Sequence, residues 1–162
     1  MTARRGSKAL AAALLVLTVT LVCGAGTALA RCRTAYCGSY HGHTSSATDP
    51  VGHTSGGGPL GFVVKSAGVV SVTANVTWVC HRGDFSNPYT SEPYHFDRSF
   101  GSHPAAVKKN GGVSVDRRFG HLHMSLSGQI SKKGRFSGYF ALGFLSGDTG
   151  CGTAPLPAAA HR

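Results

Sequence analysis

Carboxylates are scarce in this chain. Six Asp and Glu stand against sixteen Lys and Arg, and charged residues make up only 14% of the 162 residues. The six acids never cluster, so the paired carboxylates of general acid–base catalysis have little support. No G-x-S-x-G nucleophile elbow occurs either. Aromatic residues do not interleave with the basic ones, so no stacking platform for single-stranded nucleic acid is indicated. After the first thirty residues there is no apolar run of the roughly 20 residues that a membrane helix needs. The segment Pro155-Leu156-Pro157-Ala158 has neither a sortase-type motif nor an apolar tail. These absences lead us to expect no enzymatic activity, no specific nucleic acid and no transmembrane segment after processing.

What is present starts with residues 1–30. Arg4, Arg5 and Lys8 precede an apolar run from Ala9 to Val22, followed by small residues ending in Ala28-Leu29-Ala30. A basic start, a short apolar stretch and an A-x-A site describe a secretory signal peptide. A lipoprotein site at Cys23 is disfavoured by the bulk of Val22, and a twin-arginine signal at Arg4-Arg5 by Ser7 and Lys8. The expected product is secreted, bacterial, and extracellular or associated with the cell wall. It retains about 132 residues, one domain's worth. Thirteen Lys and Arg then face six acids, a net charge of about +7 with neutral His, which favours anionic surfaces.

Cys32, Cys37, Cys80 and Cys151 stay with the product. An even number in an exported chain suggests two disulfides, and four cysteines allow three connectivities. Residues 31–58 are rich in Gly, Ser, Thr and His without apolar periodicity, and read as a flexible lead-in. From Pro59 the period is two. Val70, Val72, Ala74, Val76, Trp78 and Cys80 share one parity against Ser71, Thr73, Asn75 and Thr77, the clearest half-buried strand in the chain. Its parity turns Cys80 inward, while Cys151 follows the last strong apolar strand, so a Cys80–Cys151 bridge is expected, leaving Cys32 with Cys37. Further alternation appears at Leu60-Phe62-Val64, around Phe96, at Val113-Val115, from Leu122 to Ile130 and from Phe136 to Phe144. Asn110-Gly111 signals a hairpin turn. Pro155 and Pro157 should restrict any last strand to an edge. Six to eight short strands with Gly-rich turns point to an all-β, antiparallel, disulfide-tied β-sandwich over residues 59–162, with a small β-barrel as the alternative. Its inner faces should bury Phe62, Val72, Val76, Trp78, Met124, Leu126, Phe140 and Phe144.

Some of these features form a familiar set. Gly52-x-Thr54-Ser55 leads into Pro59-Leu60-x-Phe62-x-Val64; a Val-rich strand ends at Cys80; Asn110-Gly111 precedes Val113; Ser137-Gly138-Tyr139-Phe140 and Cys151-Gly152-Thr153 follow. The chain from Gly52 to Arg162 resembles the short exported β-sandwich proteins of actinobacterial type. The resemblance implies the fold and carries no catalytic residues.

Two groups of side chains are candidates for chemistry. His121 and His123 are two apart on a strand, so both imidazoles share a face and are the candidate ligands for zinc or copper. No Asp, Glu or Cys completes a set by spacing, and the simpler reading places both rings on the solvent face. The second group is basic: Lys108 and Lys109 before one turn, Lys132, Lys133 and Arg135 around another. If Val113–Arg117 pairs with His121–Ile130, all five cations meet at one end. They are the candidate site for an anionic cell-wall polymer or glycan. Other motifs read as structure. Arg82-Gly83-Asp84 fits a turn, and Asn75-Val76-Thr77 is a sequon that bacterial export leaves bare. Ser55-Gly56-Gly57-Gly58-Pro59-Leu60 is superficially like a chymotrypsin-type nucleophile segment, but it lacks the preceding Asp and has an extra Gly. The expected role is therefore non-catalytic binding or structure, with a His-based metal protein or metalloenzyme as the alternative.

Overall fold

A computed structural model describes residues 34–83 and 89–162. The signal-peptide reading, Cys32 and Asp84 lie outside those residues. Eleven strands and no helix are present among them: β1 (Gly38–Thr44), β2 (Ala47–Thr48), β3 (Thr54–Ser55), β4 (Pro59–Lys65), β5 (Gly68–Arg82), β6 (Thr90–Ser99), β7 (Gly112–Phe119), β8 (Leu122–Ile130), β9 (Arg135–Ser146), β10 (Thr149–Gly152) and β11 (Leu156–His161). β2 and β3 form a small hairpin, and the other nine strands make one antiparallel sheet.

That sheet closes on itself. β5 pairs with β4, β4 with β1, β1 with β11, β11 with β9, β9 with β10, and β10 again with β5. The result is a six-stranded barrel, the alternative raised above, in place of two separate stacked sheets. β6 extends the sheet from β5, while β8 and then β7 extend it from β9. Two single bridges, Val69 with Ala105 and Val107 with Val113, carry the chain from the rim of β5 to β7. Phe96 of β6 meets Phe119 of β7 and Phe140 of β9 edge-on, at 6.0 and 6.2 Å between centroids. The extensions thus pack toward each other over the core.

The long strand reads as its alternation requires: Val72, Ala74, Val76, Trp78 and Cys80 are buried. Val70 departs from that parity. Between Val63/Val64 and their partners the register shifts, so that Val64 opposes Val69 and Val63 opposes Ser71. The bulge leaves Val70 as the extra residue and turns Val69 inward. The expected core side chains are buried, except that Phe144 is half-buried. Each fully buried large apolar side chain stabilises by about 1.5–3 kcal/mol.

The lead-in expected at residues 31–58 is corrected by β1, which is part of the barrel wall from Gly38 onward. Tyr40 is fully buried and stacks on Phe62 at 4.7 Å; its hydroxyl donates to Tyr36 O at 2.7 Å. One aromatic among polar and small residues makes no visible period, which is why the strand is hidden in the sequence. Gly42 is needed there because a Cβ would lie 2.0 Å from Ala159 O of β11. The edge placement of the last strand is also corrected, since β11 lies between β1 and β9. Pro157 is tolerated because its carbonyl and nitrogen face the β1 flank beyond the Thr44–Ala158 pair, where that ladder has ended; its carbonyl accepts from Ser45 N at 2.7 Å.

Cys80 and Cys151 are bonded, as expected, between directly opposed positions of β5 and β10. Cys37 is also disulfide-bonded, and its expected partner Cys32 lies outside the described residues.

Candidate functional site

The basic candidate site is built by register. Gly112 opposes Gln129 and Ile130 N donates to Gly111 O at 2.9 Å, so the start of β7 lies beside the end of β8. The turn before β7 is closed by Gly111 N donating to Lys108 O at 2.8 Å, and the turn after β8 by Gly134 N donating to Ser131 O at 2.9 Å. Gly111 has φ +89°, and a Cβ there would sit 2.1 Å from Ile130 O. Only glycine lets the lysine turn press against the end of β8. Lys108, Lys109, Lys132, Lys133 and Arg135 therefore emerge, all exposed, at one end of the barrel.

Two further cations share that end. Arg162 N donates to Gly134 O at 2.9 Å, while its guanidinium donates to Cys37 O at 2.8 Å and Ala35 O at 3.1 Å. Lys65 follows Val64, which opposes Gly38, the residue whose Cα lies against the Arg162 side chain. Sequence reasoning missed both. The turn after Lys65 was visible, but the end of the barrel to which it belongs depends on β1. Arg162 depends on the placement of β11.

No described acid counters this charge locally. Asp97 and Asp116 lie within strands, while Asp49, Glu92 and Asp148 lie toward the opposite end, near Cys80 and Cys151. The ion pairs among the described residues, His53–Asp49, Arg82–Glu92 and His123–Asp116, involve none of the seven cations. Charges gathered at one end add their potentials where they stand within a screening length, about 8 Å at physiological ionic strength.

The histidine candidate site is arranged differently. His121 occupies the two-residue turn Gly120-His121, and Gly120 supplies the φ of +63° that such a hairpin needs at its first position. It is exposed but not on the strand. His123 is on β8, and its Nε2 donates to Asp116 Oδ1 at 2.8 Å. The pair is thus split between a turn and an ion pair. As placed, no three His, Cys, Asp or Glu among the described residues are grouped to hold a metal ion.

A concavity beside the disulfide gathers Asp49, His53, Ser55 and Tyr89. His53 Nδ1 donates to Asp49 Oδ2 at 3.2 Å, and its ring lies 3.9 Å from that of Tyr89. Burial acts to raise the Asp49 carboxyl, but the amides of His53 and Val51 and the His53 ring outweigh it and hold the group below its ordinary value. Ser55 is buried, and its Oγ accepts from Ala154 N at 3.1 Å. These contacts fasten the β2–β3 hairpin to the barrel. No protein family, no curated protein and no solved structure matches the chain.

Proposed function

We propose that this is a secreted, non-catalytic binding protein that engages an anionic cell-wall polymer or glycan through the basic end of its barrel. The observation that carries the reading is the convergence of Lys108, Lys109, Lys132, Lys133 and Arg135 on one end with no described Asp or Glu side chain among them. Lys65 and Arg162 add to the same field. Flexible ammonium groups on turns suit a repeating polyanion better than a shaped small molecule, because each acts as a hydrated point charge. The expected export would bring such a surface to where wall polymers are met, and the low acid content leaves its field largely uncompensated.

The test is retention on immobilised anionic wall polymer, with heparin as a second matrix. Replacing the five residues by Gln should abolish retention at low salt. Replacing Arg82, Arg98, Arg117 and Arg118, which lie elsewhere, should leave most of it. Equal loss in the two variants would mean that net charge alone, and not this end, governs binding.

A further inference from the structure

Four of the chain's nine histidines line one shallow concavity of about 330 Å³ on the outer barrel wall: His41 and His43 of β1, His161 of β11 and His95 of β6. They are 120 residues apart in the chain at the extremes, and the closure of β1 onto β11 brings His161 to the others. His41 and His161 are directly opposed partners on neighbouring antiparallel strands. Side chains so placed have Cβ atoms about 4.5–5.5 Å apart on the same face. His43 follows on that face two residues along β1. All three are exposed.

The floor is open. Gly61 of β4 opposes His41 from the other side and has no side chain, and Gly42 separates the two β1 histidines. No carboxylate, lysine or arginine lines the concavity. The neighbouring cation is Arg135, which opposes His161 from β9 and is long enough to keep its head in solvent.

We propose that His41 and His161, with His43 as the third imidazole, form a surface site for a late first-row divalent metal ion, with Cu²⁺ held most tightly. Imidazole nitrogens about 2.0–2.1 Å from a metal require the two rings of a cross-strand pair to tilt toward each other. As placed, the three rings are not grouped to hold an ion, so binding requires each exposed ring to rotate about its two side-chain torsions. Copper stands at the top of the affinity order for nitrogen ligands. The site differs from the His121–His123 pair, where one ring is in a turn and the other faces Asp116. It borders the basic end, since Arg135 of that group opposes His161, but its ligands include none of the five cations. His95 is excluded from the ligand set, since three strand spacings, about 14 Å, separate β6 from β1.

The experiment titrates the untagged protein with Cu²⁺ alone and follows the spectrum of bound copper by electron paramagnetic resonance. One equivalent should bind with coupling to at least two imidazole nitrogens. His41→Gln and His161→Gln should each weaken binding tenfold or more, and His43→Gln by a smaller factor. His95→Gln and the paired His121→Gln/His123→Gln variant should bind as the parent does. Thermal melting of the His41, His43 and His161 variants without metal should match the parent, because these side chains are exposed. Copper binding that is absent, that survives both His41→Gln and His161→Gln, or that falls in the His121/His123 variant would overturn the assignment.

Discussion

The Cys80–Cys151 bond should contribute more to stability than any single core side chain. It joins positions 71 residues apart, at the place where β10 links β5 to β9 and so closes the barrel. Cross-linking a loop of that length removes chain entropy from the unfolded state. The loop-closure relation gives about 4 kcal/mol for a loop between 15 and 100 residues at the upper part of that range. Replacing both cysteines by Ala adds a small packing loss at the fully buried Cys80. The double variant should therefore lose about 4–5 kcal/mol, a large part of the 5–15 kcal/mol that such domains hold. Urea unfolding followed by Trp78 fluorescence measures this, because Trp78 packs against Tyr94 at 3.9 Å between ring centroids and lies two residues from Cys80. Replacing the pair, rather than adding reductant, leaves the Cys37 disulfide intact. A loss below about 1 kcal/mol with an unchanged denaturant slope would refute the entropic reasoning.

Two other outcomes are expected. Gly68 has φ +127°, and a Cβ there would lie 2.1 Å from Ala105 O, whereas Gly101 has φ +55° and open space around its Cα. Gly68→Ala should lower the urea midpoint strongly, while Gly101→Ala should cost only the left-handed backbone penalty of about 1–2 kcal/mol. At Asp49 the carboxyl is held below its ordinary value, so the stability it lends is complete above the unfolded carboxyl's value and fades as pH falls through the lower folded one. Protection of the Val51 and His53 amides, taken relative to their intrinsic exchange rates, should fall over that acid range and should be lost at neutral pH in Asp49→Ala; protection unchanged in Asp49→Ala would show that the carboxylate does not hold these amides.

Alternating side chains in the Val72–Cys80 stretch were enough to assign a strand, its buried face and the inward Cys80, because a period of two is a local property. The Lys turns and their meeting at one end followed from one antiparallel pairing, β7 with β8, whose turn is only two residues long. Even the Cys80–Cys151 bond was accessible, since parity and order along the chain narrowed the choices.

Closure of the barrel was a different matter. Periodicity says which face of a strand is buried but not which strand lies beside it. β1 offered one buried Tyr40 among Gly, Ser, Thr and His, and its place in the wall is settled by contacts with Phe62 and Ala159 from distant parts of the chain. β11 was readable as a strand but not as an inner one, because Pro157 is harmless only where the β1 ladder has stopped. From those two placements come Arg162 and Lys65 at the basic end, and His41 opposite His161 on the outer wall. Sequence by itself determined an all-β, basic, cystine-linked chain; the non-local pairing of β1 with β11 decided which charges and which imidazoles stand together.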